Sequence, residues 1–389
     1  MRRRRSNQND LARADWKRGA ALCAGLVIGA LLATSPLLAD TIEMVNGQKQ
    51  DDVQIVLAHW DSIQFKKGAA GRAQTMVGQQ VLSITRASDF LTPARSAIES
   101  GDYERAARAL GNVAGAGADW EKAEAMYLQG LALQLQGNVK EAEKAYKAYL
   151  EKYKGEKDWW VPHATLGLGE MLLGARQPGT AEVYFRDLAQ YGGPWELRSK
   201  LGLGEAILLG KGKGGAMEAR KMFDEVRNSA SAPAVLKQKA AVGRAKAFLL
   251  QDQADQLIKE VKDTFFDSPK PEDLLYTAQR AEATLLLGRG YMALGGKENL
   301  EQAEMWLLRV PALYGKHVAA FEDACDLLAE VYDKLGNKAR AEEWRARKAG
   351  GGKAASAEPS PAPEPKEAKS PPAPPAGKSA KNGKTAKTK

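Results

Sequence analysis

The 389-residue chain contains only two cysteines and three histidines, which rules out several kinds of site at once. Cys23 lies in an apolar stretch near the N-terminus, so Cys325 is the only cysteine in the rest of the chain. A single thiol cannot form an internal disulfide, and no Cys/His spacing typical of structural zinc is present. His59, His163 and His317 are far apart in the sequence, and none belongs to an H-E-x-x-H motif.

Motifs of nucleotide binding and of acyl transfer are absent as well. The sequence has no G-x-S-x-G motif, and the GKGKGG run at 210–215 lacks the serine or threonine of a phosphate-binding loop. No predicted strand precedes that run, so it is interpreted as a flexible turn between two helices. We therefore expect a protein that is not an enzyme, with no cofactor, no metal ion and no small-molecule substrate.

The folded middle of the chain has almost no net charge, although the whole chain carries +9. Residues 1–39 hold seven Lys and Arg against two Asp, and residues 350–389 hold eight Lys against three Glu. Each end therefore contributes +5, which leaves −1 for residues 40–349. Because the basic residues are confined to the two ends, the composition argues against a nucleic-acid-binding domain in the middle.

The N-terminal 39 residues have the pattern of a secretory signal peptide. A basic region runs to Arg18, the apolar stretch GAALCAGLVIGALLA follows, and Pro36 precedes a cleavage position after Ala39. The alternative is an uncleaved inner-membrane anchor, because residues 19–39 are long enough to cross a bilayer. We expect an exported protein that is periplasmic, at the cell surface or secreted.

Residues 40–86 lack helical periodicity and contain the short β-prone runs TIEMV, VQIVLA, SIQF and VLSI. Asn46-Gly47 favours a tight hairpin, and Gly68 and Gly71 mark a second turn. The order of strands and turns resembles the small SH3-like or Sm-like barrel that begins many secreted bacterial proteins. Trp60 is interpreted either as a ligand platform or as a residue that packs this module against the first repeat.

Residues 89–348 repeat one helical hairpin. In KAEAMYLQGLALQLQGNVKEAEKAYKAYLEKY, Gly130 is small where two helices must approach, and Gly137-Asn138 makes the turn. Ala142 allows the second helix to pack closely, and Tyr146 fills the core beside it. The same positions recur as Gly169, Ala181 and Phe185; Gly204, Ala219 and Phe223; Gly288, Tyr291, Gly295 and Ala303; and Ala329, Tyr332, Gly336, Asn337 and Ala341, with weaker copies at Gly101, Asp102, Tyr103 and Ala106 and at Gly243 and Ala254.

This set of positions resembles the tetratricopeptide (TPR) repeat. The resemblance predicts a mainly α fold: a TPR-like α-solenoid of about seven helical hairpins, preceded by a small β-barrel-like module. The spacing of the second-helix alanines exceeds the TPR period of about 34 residues, so several turns must be long. The longest step ends at Ala303 and includes the FFDSPKPED loop.

The resemblance implies a function as well as a fold. EAEKAYKAYLEKY is similar to the second helices of TPR proteins in the bacterial envelope, which implies a scaffold or adaptor that binds protein partners in a concave groove lined by the first helices. Carrying over the groove positions of the family gives the candidate protein-binding residues Glu124, Tyr127, Gln134, His163, Glu170, Arg198, Glu205, Lys237, Arg244, Arg289, Asp326 and Glu330.

Residues 350–389 form a tail of Ala, Pro, Lys, Ser and Gly without an aromatic or a large aliphatic residue. Such a segment cannot bury enough apolar surface to offset its ordering entropy, so we predict that it is disordered. Its lysines provide the alternative function, which is binding to an anionic envelope polymer or a lipid surface. Nucleic acid is not an expected partner. A solubilising spacer is the simpler interpretation of the same residues.

Export predicts a defined mature N-terminus. If residues 1–39 are a cleaved signal, N-terminal sequencing of the protein isolated from its native cells should begin near Asp40. Recovery of a membrane-embedded chain that retains residues 19–39 would favour the anchor. Recovery of a cytoplasmic protein that begins at Met1 would contradict export.

Overall fold

The computed structural model describes residues 39–68, 71–267 and 277–349. A five-stranded antiparallel sheet comes first, and an array of helices follows. The strands are β1 (Asp40–Met44), β2 (Lys49–Ala58), β3 (Ser62–Lys67), β4 (Ala73–Val77) and β5 (Val81–Thr85). Apolar residues alternate along them, so Ile42, Ile63 and Phe65 are buried on one face.

The sheet is open, which corrects the expected barrel-like module. Its strand order is β4-β3-β2-β1-β5, so β4 and β5 are the two edges and do not pair with each other. A 3₁₀ turn at Gly78–Gln80 separates these two strands. Gly78 is required there, because a Cβ would lie 2.2 Å from the carbonyl oxygen of Trp60. Repeated β-prone runs predict strands, but they do not specify whether the outer strands meet.

Fourteen α-helices follow in the part of the chain that the structure describes, and they form seven hairpins in sequence order. They are α1 (Thr92–Glu99), α2 (Tyr103–Ala116), α3 (Asp119–Gln136), α4 (Val139–Tyr153), α5 (Val161–Gly174), α6 (Pro178–Ala189), α7 (Gly193–Lys211), α8 (Ala216–Asn228), α9 (Ala234–Leu250), α10 (Ala254–Phe265), α11 (Ala278–Leu294), α12 (Lys297–Leu313), α13 (Val318–Lys334) and α14 (Lys338–Ala349). Each helix packs against the next, which gives a TPR-like array.

Two glycines on successive first helices hold the ring of the second helix between them. Phe185 of α6 lies against Gly169 of α5, where a Cβ would come within 2.6 Å of the ring. The same ring lies against Gly202 of α7, where a Cβ would come within 2.2 Å. Phe185 is fully buried. One side chain therefore joins three helices and two hairpins.

The same arrangement occurs in the hairpins on either side. Gly130 and Gly167 lie against the ring of Tyr146, and Gly204 and Gly243 lie against that of Phe223. Ala142, Ala181 and Ala219 precede these rings by one turn and are fully buried. The predicted register of small and aromatic residues is therefore observed in these three hairpins.

The fifth hairpin departs from that register. Leu257, not Ala254, is the fourth residue of α10, as Ala142 and Ala181 are the fourth residues of α4 and α6. Leu257 follows Ala245 by the same number of residues as Ala142 follows Gly130. Ala245 is therefore the first-helix counterpart of Gly130. Gly243 instead contacts the ring of Phe223, which belongs to the preceding hairpin. It is therefore the glycine that this ring meets on the next first helix.

The sheet is fixed to the loops that precede α5 and α7. The ring of Trp60 contacts that of Tyr191 edge-on, with centroids 5.0 Å apart. The Lys157 ammonium lies 2.7 Å from the Asp61 carboxylate, and the backbone N–H of Trp60 donates to the Lys157 carbonyl. Trp60 thus packs the sheet against the helical array, although against the third hairpin rather than the first.

A buried arginine also joins the sheet to the helices. Arg86 donates to the carbonyl of Ile55 at 3.1 Å, and its guanidinium lies 3.9 Å from the centre of the Trp120 ring. Burial lowers the pKa of Arg86, and the carboxylates of Asp40 and Glu124 oppose that shift. The charge is thus retained inside the junction by acidic groups from both parts.

Three predicted segments lie outside the described residues. They are the signal segment up to residue 38, the 268–276 part of the FFDSPKPED loop, and the tail from residue 350. Among the helices of the described ranges, none combines the length and apolar character needed to cross a bilayer.

Substitution of one of the paired glycines tests the packing. Gly202→Ala should destabilise the protein by about 1–3 kcal/mol, because the new methyl group overlaps the Phe185 ring. Gly179→Ala is the matched control, since Gly179 is exposed on α6 with nothing within 4 Å of its Cβ position. That change should alter the free energy of unfolding by no more than about 0.5 kcal/mol, because Gly179 is an exposed residue of the first helical turn. Chemical denaturation measures both, and equal effects would contradict the arrangement.

Candidate functional site

The first helices of the second to seventh hairpins form a continuous wall. Each of α3, α5, α7, α9 and α11 packs against the next first helix in the series, which ends with α13. We call the surface of this wall the first-helix face. It corresponds to the surface that the sequence predicts as the groove.

Aromatic rings pack against one another at the N-terminal end of the first-helix face. Tyr127 of α3 stacks on Trp160, with centroids 4.7 Å apart and an interplanar angle of 11°. His163 of α5 contacts Trp195 of α7 edge-on at 4.5 Å. Tyr127, Trp160 and Trp195 are buried. This section is therefore a packed contact between successive first helices, with little ring surface left for a partner.

His163 is held neutral by this environment. Burial lowers its pKa to about 3, and the nearby Arg198 guanidinium adds to the effect. Its Nδ1 lies 3.3 Å from the carbonyl oxygen of Trp159. The Arg198 guanidinium lies 5.3 Å from the centre of the Trp195 ring. His163 is thus a structural ring at neutral pH, not a cation offered to a ligand.

Glu124 and Gln134 are buried, which corrects their expected place in an open groove. Arg95 of α1 donates to the Glu124 carboxylate at 2.6 Å. Burial raises the pKa of Glu124, and Arg95 opposes that rise. Gln134 accepts a hydrogen bond from the Tyr146 hydroxyl at 2.6 Å. Both side chains satisfy internal partners, so neither is presented to solvent.

Charged side chains cover the middle of the first-helix face. The Lys246 ammonium of α9 lies 2.7 Å from the Glu282 carboxylate of α11 and 3.9 Å from that of Glu205 of α7. These three side chains are 34%, 42% and 48% exposed, respectively. Burial alone would lower the pKa of Lys246, but the two carboxylates have the larger effect and raise this pKa. Lys246 therefore remains a cation that bridges three successive first helices.

The pairing pattern continues along the face. Arg289 of α11 lies 3.3 Å from Asp323 of α13. Lys246 and Arg289 each follow the small residue of their own first helix, Ala245 and Gly288. Glu282 and Asp323 occupy the same position near the start of the next first helix. At both contacts, a cation of one first helix therefore lies beside an anion of the next first helix.

Arg244 and Lys237 are not the groove residues of α9. Arg244 contacts Asp224 of α8 at 2.9 Å and Glu260 of α10 at 3.1 Å, and its side chain is 13% exposed. It therefore lies between second helices. The two-residue error arises from taking Gly243 as the counterpart of Gly130. With Ala245 in that role, Lys246 replaces Arg244 and Lys239 replaces Lys237.

The remaining candidates lie on α5 and α13. Glu170 is half-buried on α5. Asp326 and Glu330 are exposed on α13, where Asp326 pairs with Lys348 and Glu330 lies 2.8 Å from Lys334. Sequence reasoning missed Lys246, Glu282 and Asp323. Counting from Ala245, Gly288 and Ala329 by the spacing used for the other hairpins would have found them.

Exposed leucines adjoin the charged section. Leu209 and Leu250 lie at the C-terminal ends of α7 and α9, and both are among the exposed large apolar residues of the described chain. They follow Gly204 and Ala245 by the same number of residues. The first-helix face therefore carries an exposed leucine at the same repeat position on α7 and on α9, next to its charged side chains.

No group of three metal-ligating side chains occurs in residues 39–68, 71–267 and 277–349. Cys325 is buried on α13, and this burial raises the pKa of its thiol to about 11. Its thiol is therefore neutral near pH 7, as expected of a small core residue.

Comparison with known proteins gives distant structural similarity alone. No family model and no curated relative matches the chain. A tetratricopeptide repeat protein from Parabacteroides merdae matches with a TM-score of 0.36 and 16% identity, over 62% of this chain and 97% of that chain. The description of the array as TPR-like rests on the helix packing and on the glycine–ring contacts above.

The depressed pKa of His163 predicts acid sensitivity. The unfolded state takes up a proton near pH 6.5 that the folded state does not take up until about pH 3. Stability should therefore fall as the pH decreases below 6.5. Relative to His163→Phe, the wild type should lose an additional 1–2 kcal/mol, roughly, between pH 6.5 and pH 5. Urea titrations at both pH values measure this, and parallel losses in the two proteins would contradict a buried neutral histidine.

Proposed function

We propose that the protein is a non-enzymatic scaffold that binds a polypeptide segment on the first-helix face, from α7 to α13. The observation that carries this proposal is the series of half-exposed charges on successive first helices, centred on Lys246. These charges point away from the core contacts that hold the hairpins together. They are available to a partner without unfolding any helix.

The chemistry of the face favours a partner with both charge and apolar groups. Lys246 and Arg289 can bind partner carboxylates, and Glu282 and Asp323 can bind partner cations, if the internal pairs exchange. Exposed ion pairs are worth about 0–1 kcal/mol, so such exchange costs little. Burial of Leu209 and Leu250 would add affinity at roughly 25 cal/mol per Å². Complementary charge then supplies specificity.

Anionic polymers fit this face poorly. Each cation of the charged section faces a carboxylate, so a polyanion would meet both signs of charge. A polypeptide of mixed charge can satisfy both. The Lys-rich segment 350–389 is the part of the sequence suited to an anionic polymer or lipid surface, and we keep that activity as the alternative function.

We also propose that this scaffold works outside the cytoplasm. The support is the sequence of residues 1–39, with its basic region, apolar stretch and position for cleavage after Ala39. A partner in the cell envelope follows from that location.

A cross-linking experiment tests the proposal. A photoreactive residue replaces Leu250 in the purified protein, which is then mixed with cell-envelope extract, and cross-linked proteins are identified by mass spectrometry. One defined polypeptide should be captured. Lys246→Gln with Arg289→Gln should reduce its capture about tenfold, because two charge pairs of about 0.7 kcal/mol each are lost.

Two matched proteins complete the design. Lys140→Gln with Lys144→Gln removes two exposed cations from second helix α4 and should leave the capture unchanged. Deletion of residues 350–389 should also leave it unchanged across a salt series. If the tail deletion alone abolishes salt-resistant capture, the tail is the binding element and the proposed role of the first-helix face fails.

A further inference from the structure

Strand β4 forms an open edge of the N-terminal sheet. It pairs with β3 on one side only, and four of its five residues are exposed. Its sequence, AQTMV, contains neither charge nor proline. Natural edge strands are commonly protected from further pairing by charged residues, by proline or by a bulge, and β4 has none of these. The other edge strand, β5, is mostly buried.

The pairing of β3 determines which backbone groups of β4 are free. Ser62 exchanges backbone hydrogen bonds with His59, so its N–H and C=O point towards β2. Backbone direction alternates along a strand, so Ile63 and Phe65 point towards β4. Their partners Met76 and Gln74 therefore bond inward. By the same alternation, the backbone groups of Ala73 and Thr75 and the N–H of Val77 point to the open edge, whereas the Val77 carbonyl begins the 3₁₀ turn at Gly78–Gln80.

Three cations lie at the start of this open edge. Lys66 is opposite Ala73 in the register, Lys67 ends β3, and Arg72 immediately precedes β4. Lys67 and Arg72 are exposed. No ion pair involves any of the three among the residues that the structure describes. The far end of β4 differs, because Gln79 beyond it contacts Tyr191 and Gly193 of the helical array.

We propose that β4 binds an extended peptide segment by antiparallel strand addition, with acidic residues at the C-terminal end of that segment. All strand pairs of the sheet are antiparallel, and an added antiparallel strand would continue that pattern. Antiparallel addition places the C-terminal end of the incoming strand beside Ala73, where the three cations lie. Backbone groups of Ala73, Thr75 and Val77 supply the hydrogen bonds, and the cations select the acidic end. This site is separate from the first-helix face and does not depend on its function.

Two synthetic peptides of one composition test the direction of binding. The first is fluorescein-labelled Thr-Val-Thr-Val-Thr-Glu-Glu, and the second is Glu-Glu-Thr-Val-Thr-Val-Thr, both amidated at the C-terminus. Fluorescence anisotropy with the purified protein should show about tenfold tighter binding of the first, because only its carboxylates reach the cations. Equal binding of both peptides, or of neither, would overturn the proposal.

Proline substitution tests the role of the backbone. Thr75→Pro removes an N–H that points to the open edge, so it should weaken the first peptide about tenfold while leaving the β3 pairing intact. Thr75→Ala keeps the backbone and should bind like the wild type. A triple change, Lys66→Gln with Lys67→Gln and Arg72→Gln, leaves the strand unaltered and should abolish the preference between the peptides.

Hydrogen exchange locates the bound peptide. Addition of the first peptide should slow exchange in the segment 73–77 of the wild type, and much less in Thr75→Pro. Protection confined to the helices, or binding that all of these variants retain, would contradict strand addition. Circular dichroism melting of each variant confirms that a loss of binding does not come from a loss of fold.

Discussion

The helical array depends on one repeated contact, in which an aromatic ring of a second helix lies between two glycines of successive first helices. Neither glycine can carry a side chain, because a Cβ would come as close as 2.2 Å to the ring. The ring in turn fills the space that the missing side chains leave. Tyr146, Phe185 and Phe223 thus each fix the distance between one hairpin and the next. Stability in such an array propagates from neighbour to neighbour.

Towards the C-terminal end, aliphatic side chains replace the rings. Leu307 of α12 occupies the ring position, four residues after Ala303, and lies against Gly288. In α10 the contact is made one turn earlier, where Leu257 occupies the alanine position and lies against Gly290. These side chains are smaller and more flexible than a ring, so they define the helix spacing less strictly. At the N-terminal end, the sheet is joined by Trp60 and by the buried Arg86. The array is therefore bounded by two different kinds of contact.

The sequence predicts the parts of the fold that depend on local pattern. Small residues, rings and turn glycines recur along the chain, and they gave the register of the second, third and fourth hairpins. They failed in the fifth, because Gly243 belongs to the contact with Phe223 and not to its own hairpin. A glycine can serve either role, and periodicity alone does not distinguish the two. The fourth-residue position of Leu257 in α10 does distinguish them.

Long-range contacts explain the other differences. Glu124 is buried because Arg95 reaches it from another hairpin, and Tyr127 is buried because Trp160 stacks on it. Neither partner follows from the repeat that contains the residue. Closure of the sheet likewise depends on where β4 and β5 end in space. Residues 1–38 and 350–389 lie outside the described ranges, so export and the role of the tail remain predictions.

The separation of core and face has a physical consequence for how such a protein functions. The contacts that set the fold are apolar and buried, whereas the charge pairs of Lys246 and Arg289 are partly exposed. Exposed pairs contribute only about 0–1 kcal/mol to stability, far less than a buried ring. Changes among the face charges therefore alter what the face binds with little effect on whether the chain folds. The same holds at β4, where an added strand would use backbone groups that make no contact within the fold. Binding at either place uses a surface that the fold supports but does not depend on.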